Sequence, residues 1–231
     1  MLGSLGPVDE VGAAYRGVRL RVSGLVAAAD VDTLGRAAPA TPDWTVHDVL
    51  AHLVGVTTDI VSGNLDGVGT DPWAAAQVER SRTRSCTELV AEWDEHGPVV
   101  EAMAAQFGRA AGQLLSDATT HEHDVRGAIG APGARDSDAV ALSFGFLGMS
   151  LGEQLDAGAN GALVVEHGDT SDTFGTGEPI ATLRIDDFEF VRALTGRRCV
   201  EQIAAYDWDG AFAPEHLVLA RFVARPDPLV E

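Results

Sequence analysis

The spacing of apolar residues in the first two thirds of the chain constrains the fold more than any other feature. One stripe, between residues 8 and 29, repeats at intervals of three and four through Val8, Val11, Tyr15, Val18, Val22 and Val26. A second stripe repeats in the same way through Val49, Leu53, Val56 and Ile60. Such intervals place side chains on one face of a helix. The pattern therefore predicts long amphipathic helices.

Capping residues indicate where two of these helices begin. Thr45 and Ser85 are each followed three residues later by an acid, Asp48 and Glu88, which is the pattern of a capping box or a variant of it. Proline has no backbone N–H, so Pro98 should break or kink the helix that Ser85 starts.

Other signals place three further helices and a connection. Residues 37–42 have the composition of a turn-rich linker, and Asp71 before Pro72 predicts a helix that Asp71 caps. A helix over 109–129 should stop at the glycine-rich run 130–133. A helix over 136–155 carries glycines at 145, 148 and 152 that favour close packing. Long helices joined by short loops predict an up-and-down bundle.

The composition changes after residue 158. Residues 160–179 are rich in Gly, Thr and Asp, residues 181–185 alternate as a strand does, and a short helix through residue 188 should end at Gly196. We therefore expect a mainly α protein, with a helical bundle over residues 1–158 and a small α/β domain over residues 159–231.

Charge limits the partners of this chain. The formal net charge is −19 at pH 7, and such a surface repels nucleic acid and anionic membranes. No basic segment followed by an apolar run occupies residues 1–10, and no run approaches the roughly 18 apolar residues of a membrane span. We expect a cytoplasmic protein. Cys86 and Cys199 are too few and too far apart for a disulfide framework, so we expect buried reduced thiols.

The candidate site residues are one histidine of the second helix and, on a later helix, a second histidine with two aspartates. His52 lies beside the apolar stripe, whereas Asp117, His121 and Asp124 share one face of the helix over 109–129. Two imidazoles and a carboxylate from facing helices can bind a divalent ion and leave a position open for substrate. Asp124 would orient His121 from outside the ligand set. His123 points away, and hydrogen-bonded core histidines are the alternative.

Three segments are similar to the mycothiol-dependent maleylpyruvate isomerase family, within the DinB-like superfamily of metal-binding four-helix bundles. The first runs from Trp44 to Leu53. The second has an acid at 117, His at 121, Asp at 124 and Gly at 130. The third covers residues 188–198. The resemblance implies the metal ligands His52, Asp117 and His121, although Asp117 stands where the family has the longer Glu.

The resemblance also implies a function. A divalent metal, with zinc expected, would lower the pKa of a small thiol such as mycothiol, and the thiolate would add to an electrophilic small molecule. The outcome would be cis–trans isomerisation or S-transfer. Arg197 and Arg198 can bind a substrate anion, or they can interact with the end of the preceding helix and nearby acids.

Other functions remain open at this point. The same ligand set suits non-haem Fe(II) and oxygen chemistry, and the scaffold can also serve as a non-catalytic binding module. The sequence is compatible with a monomer or a homodimer.

Overall fold

The computed structural model describes residues 8–231, with side chains from residue 10 onward. Residues 1–7, which carry most of the segment used above to assess a secretion signal, and the side chain of Val8 lie outside the described part. Within that part, no helix combines the length and apolar character needed to cross a membrane.

Contacts group the described residues into two compact units. One comprises residues 8–133 with Glu231, and the other comprises residues 134–230. The division follows Gly133 rather than residue 158, so the helix expected over 136–155 groups with the C-terminal residues. The predicted domains 1–158 and 159–231 stay a prediction.

The first unit contains a four-helix bundle. Its elements in chain order are α1 (Val8–Ala28), α2 (Val31–Leu34), β1 (Ala37–Ala38), β2 (Thr41–Thr45), α3 (Val46–Ser62), α4 (Asp71–Ser81), α5 (Cys86–Met103), a 3-10 turn (Ala104–Gln106) and α6 (Arg109–Ile129). Helices α1 and α3 each pack against α5 and α6, while α4 packs against α3. The described residues of the α1 stripe are all buried, as are Val49, Leu53 and Val56 of α3.

The predicted helix boundaries at Thr45, Ser85 and Gly130 are confirmed. The Thr45 and Ser85 side chains accept hydrogen bonds from backbone N–H groups three residues on, and the acids at those positions return the bond. Helix α6 ends at Gly130, whose φ of +68° is the left-handed conformation that glycine adopts without strain.

Two predictions about this unit are wrong, and a third is wrong in part. Residues 37–42 are not a linker, because β1 and β2 pair there as an antiparallel ladder. Thr70, not Asp71, precedes the first residue of α4, so Pro72 lies in the first turn one position later than expected. Helix α5 continues through Pro98 to Met103, so the predicted break at Pro98 is wrong, whereas the alternative of a kink stays a prediction.

The second unit contains a four-stranded sheet and three helices. Its elements are α7 (Asp138–Gly158), β3 (Ala162–His167), β4 (Thr170–Phe174), β5 (Pro179–Arg184), α8 (Asp187–Leu194), α9 (Val200–Ala204), β6 (Asp207–Gly210) and a 3-10 turn (Pro214–Leu217). The strand order is β4-β3-β5-β6, with β3 and β5 parallel and the other pairs antiparallel. The expected strand at 181–185 and the short helix after residue 186 are confirmed.

Helix α7 packs closely on the sheet at two of the three glycines that were expected to favour close packing. A Cβ on Gly148 would overlap the ring of Phe174, and one on Gly152 would lie 2.8 Å from the backbone nitrogen of Gly175. Nothing lies within 4 Å of such an atom on Gly145, so the expectation of close packing is wrong there.

Cys86 and Cys199 are free thiols. Cys199 is buried, but Cys86 is only half-buried.

Candidate metal centre

The structure brings His52, Asp117 and His121 together inside the bundle. His52 projects from the middle of α3, whereas Asp117 and His121 lie one turn apart on α6. The His52 Nε2 is 3.3 Å from Asp117 Oδ2, and the His121 Nε2 is 3.8 Å from Asp117 Oδ1. One nitrogen or oxygen atom from each residue lies within 4.8 Å of the others. Among the described residues, this is the one group of three or more His, Cys, Asp or Glu side chains with such convergence.

The imidazole of His121 is oriented by Asp124. Its Nδ1 lies 2.9 Å from Asp124 Oδ2, and Asp124 is fully buried. A carboxylate accepts hydrogen bonds, so Nδ1 carries the proton and the lone pair of the neutral ring is on Nε2. That nitrogen is the one that faces Asp117. The expected contact between Asp124 and His121 is present, while its effect on a metal stays a prediction.

The imidazole of His52 is held by a residue that the sequence did not single out. Its Nδ1 lies 2.8 Å from Oε1 of Gln77, a fully buried residue of α4. An amide oxygen is also an acceptor, so the lone pair of the neutral His52 ring is again on Nε2. No sequence motif signals Gln77, because its role depends on how α4 packs on α3.

The donor chemistry of the centre fits a divalent cation. Two neutral imidazole nitrogens and one carboxylate converge with their lone pairs, an arrangement of acceptors that a cation stabilises. His52 and His121 are 5% and 8% exposed, whereas the Asp117 side chain is 35% exposed. Solvent therefore reaches the group on the Asp117 side, where a further ligand can enter.

Trp44 covers the two imidazoles and was not predicted as a site residue. Its ring centroid lies 5.1 Å from that of His52 and 5.7 Å from that of His121. Trp44 is the last but one residue of β2, directly before the cap of α3. The unexpected β1–β2 ladder therefore places an apolar wall over the centre.

The negative charge of Asp117 also affects the pKa of a buried tyrosine. Burial raises the pKa of the Tyr15 hydroxyl, and the negative charge of Asp117 raises it further. Hydrogen bonds with Thr57 and Trp93 act in the opposite direction without cancelling the shift in that pKa. The Asp117 carboxylate therefore contributes a negative potential at the buried Tyr15 hydroxyl.

His47 and His123, two of the three other histidines of the bundle, do not join the centre. His47 Nε2 lies 2.8 Å from the carbonyl oxygen of Arg84 at the edge of the bundle. His123 is buried but does not belong to the converging group. Glu122, between His121 and His123, is fully buried, and its carboxylate accepts hydrogen bonds from Arg21 and Arg126.

Arg197 and Arg198, which lie in the second unit, make internal contacts. Arg198 donates two hydrogen bonds, of 2.8 and 2.7 Å, to the carboxylate of Glu189 on α8. Arg197 donates to the carbonyl oxygen of Thr195 at the end of that helix, and both arginines are buried. These contacts match the alternative of a helix end and a nearby acid. Anion binding by the two arginines stays a prediction.

Comparison with known proteins identifies a matching family and supports the fold. Residues 15–129 match the family described as the mycothiol maleylpyruvate isomerase N-terminal domain. Crystal structures of the mycothiol-dependent maleylpyruvate isomerase and of its histidine-to-alanine mutant align with TM-scores of 0.56 and 0.58, at 15% and 14% sequence identity. Each alignment covers 83% of this chain and 90% of the other. No curated protein matches the sequence. The DinB-like fold predicted above is confirmed.

Proposed function

Through residues 15–129 the chain belongs to the mycothiol maleylpyruvate isomerase N-terminal domain family, and we propose that it is a metal-dependent enzyme that adds a small thiol to an electrophilic molecule. The thiol is mycothiol or a related compound, and the reaction is S-transfer or cis–trans isomerisation. The observation that carries the proposal is the convergence of His52, Asp117 and His121 within 4.8 Å.

The residues of the centre have distinct parts in this proposal. His52 and His121 hold the metal through Nε2, and Asp117 supplies the negative charge of the ligand set. A divalent ion bound there lowers the pKa of a thiol, so that a thiolate exists at neutral pH. Trp44 restricts water on the imidazole side, and the exposed side of Asp117 leaves an approach for thiol and electrophile.

Metal content tests the ligand assignment. We expect about one divalent ion per chain, with zinc predominant, and a steep fall in occupancy for His52→Ala and for His121→Ala. His47→Ala is the matched control, because His47 lies on α3 outside the centre. Elemental analysis of freshly purified proteins measures this. Full occupancy in both ligand variants would refute the site.

Turnover tests the reaction. We expect conversion of activated electrophiles to require added thiol, with a sugar-linked cysteinyl thiol preferred over glutathione. Full activity without thiol would refute the mechanism, and equal use of every thiol would refute the cofactor. The same ligand set suits non-haem iron. Oxygen consumption after anaerobic loading with Fe(II), in place of thiol-dependent turnover, would support that alternative.

A further inference from the structure

A buried chain of hydrogen bonds leads from the candidate metal centre to the far end of α3. We propose that Gln77, oriented by Asp59, is a positioning residue that fixes His52 in the tautomer with its lone pair on Nε2. The inference rests on the proposed metal site, and it adds two residues that touch neither metal nor substrate.

The chain consists of short contacts between buried groups. His52 Nδ1 lies 2.8 Å from Gln77 Oε1, and Gln77 Nε2 donates to Asp59 Oδ2 at 2.8 Å. The three residues are 5%, 0% and 2% exposed. Water therefore does not compete for these groups, and an incorrect pairing would leave a buried polar atom unsatisfied.

Asp59 sets the direction of these hydrogen bonds, that is, which group donates and which accepts. Its Oδ1 accepts hydrogen bonds from Arg80 at 2.6 Å and from Asn64 at 3.0 Å. A carboxylate oxygen accepts hydrogen bonds, so the amide nitrogen of Gln77 faces Asp59 Oδ2. The amide oxygen of Gln77 then faces His52, and it can only accept from a proton-bearing nitrogen. His52 is thus protonated on Nδ1 and presents Nε2 to Asp117.

The backbone of α3 is shaped to admit Gln77. A Cβ on Gly55 would lie 2.6 Å from the Cβ of Gln77 and 2.7 Å from its Cγ. Residues 52, 55 and 59 share one face of α3, since they are spaced by three and four. A side chain at position 55 would push Gln77 away from both His52 and Asp59, so glycine there belongs to the same arrangement.

Asp59→Asn tests the inference because it should reverse donors and acceptors along these hydrogen bonds with little change in side-chain shape. The new amide at position 59 would keep its oxygen toward Arg80 and turn its NH₂ toward Gln77. Two donors would then meet, so the Gln77 amide should rotate and present its NH₂ to Nδ1 of His52. The ring should respond by moving its proton to Nε2. We expect ¹⁵N NMR of the metal-free protein at about pH 8, where imidazole is neutral, to show this change of tautomer.

The affinity for Zn²⁺ alone should change together with the tautomer. Asp59→Asn should weaken zinc binding about 10- to 100-fold, the range found when partners of metal ligands are altered. The double variant Asp59→Asn with Gln77→Glu keeps the net charge and restores an acceptor for His52, because the amide at position 59 would donate to the new carboxylate at position 77. It should return the Nδ1-protonated tautomer and bring zinc affinity within about threefold of the unaltered protein. The exposed pair Asp66→Asn with Gln106→Glu is the control.

The outcomes separate this inference from the proposed function. An unchanged tautomer and unchanged zinc affinity in Asp59→Asn would overturn the inference, and so would a double variant that folds but does not recover the tautomer. Failure of the unaltered protein to bind zinc would overturn the proposed metal site instead. The NMR comparison of metal-free proteins would then decide the inference by itself.

Discussion

Asp117 provides the sharpest test of the centre, because it carries the negative charge among the three proposed ligands. Its two carboxylate oxygens lie 3.3 Å from His52 Nε2 and 3.8 Å from His121 Nε2. Asp117→Ala would leave two neutral imidazoles. Asp117→Glu would keep the charge and add one methylene, and Asp117→Asn would keep the shape without the charge.

The expected loss of affinity follows from the exposure of the carboxylate. Two unit charges about 4 Å apart interact by about 1 kcal/mol in water and about 4 kcal/mol at the effective dielectric near a protein surface. A divalent ion doubles both values, to about 2 and about 8 kcal/mol, and both are conservative for a carboxylate that would bind zinc directly at about 2 Å. The Asp117 side chain is 35% exposed, so the energy of its interaction with the ion should lie between the values for water and for a protein surface. The lower limit corresponds to a loss of about 30-fold, and most of the range exceeds about 100-fold.

Zinc titration into metal-free protein measures the effect. We expect Asp117→Ala and Asp117→Asn to weaken binding by about 100-fold or more, and Asp117→Glu to bind within about tenfold of the unaltered protein. Asp66→Ala removes one exposed charge elsewhere from a chain of net charge −19 and controls for long-range electrostatics. Unaltered affinity in Asp117→Ala would remove Asp117 from the site. It would also favour the view that Asp117 is only a polar, partly exposed residue of α6, at a position where alanine is the better helix former.

Two further predictions concern the stability of the second unit. Burial alone would raise the pKa of Glu189, but the hydrogen bonds and charge of Arg198 outweigh it and lower that pKa. Glu189→Gln should therefore cost about 2 kcal/mol of unfolding free energy at pH 7, and the difference should shrink as the pH falls below about 4. Denaturant unfolding at both pH values measures this, and an equal difference at both would refute the ion pair's role. Gly148→Ala should destabilise by about 1–3 kcal/mol, because its methyl group would meet the ring of Phe174. Gly145→Ala, where nothing lies within 4 Å, should be neutral or slightly stabilising, and equal effects of the two substitutions would contradict the packing argument.

The parts of the fold that could be predicted from the sequence depend on local interactions. The periods of α1 and α3 and the capping boxes at Thr45 and Ser85 involve residues within about one or two turns of each other, so the sequence displays them directly. The β1–β2 ladder and the uninterrupted α5 could not be predicted in this way. The ladder lies within nine residues, but Pro39 and Pro42 hide it because proline is depleted in strands. The continuation of α5 through Pro98 runs against the local preference of proline.

The same distinction holds for the candidate site. The spacing of Asp117, His121 and Asp124 places them on one helix face, and the structure shows them on that face. Gln77 and Trp44 escaped prediction because they reach the centre only through the packing of α4 on α3 and through the β1–β2 ladder. A glutamine within a helix has no distinctive pattern of its own, whereas Trp44 opens the segment that resembles the family and could have been singled out there.

The shorter acid at position 117 does not require the centre to be looser than in relatives with Glu. Because aspartate is one methylene shorter than glutamate, an ion could have to move toward α6, bind less tightly or bind through water. In the structure, however, the Asp117 oxygens already approach both imidazoles to within 4 Å, so the shorter side chain reaches the other two proposed ligands. An aspartate also has one fewer rotatable bond to immobilise than a glutamate, which lowers the entropic cost of holding the carboxylate in place. The longer arm of Asp117→Glu would have to fold back to reach the same position. We therefore expect that variant to equal the unaltered protein at best, and a clear gain in its zinc affinity would show that the short side chain does limit binding.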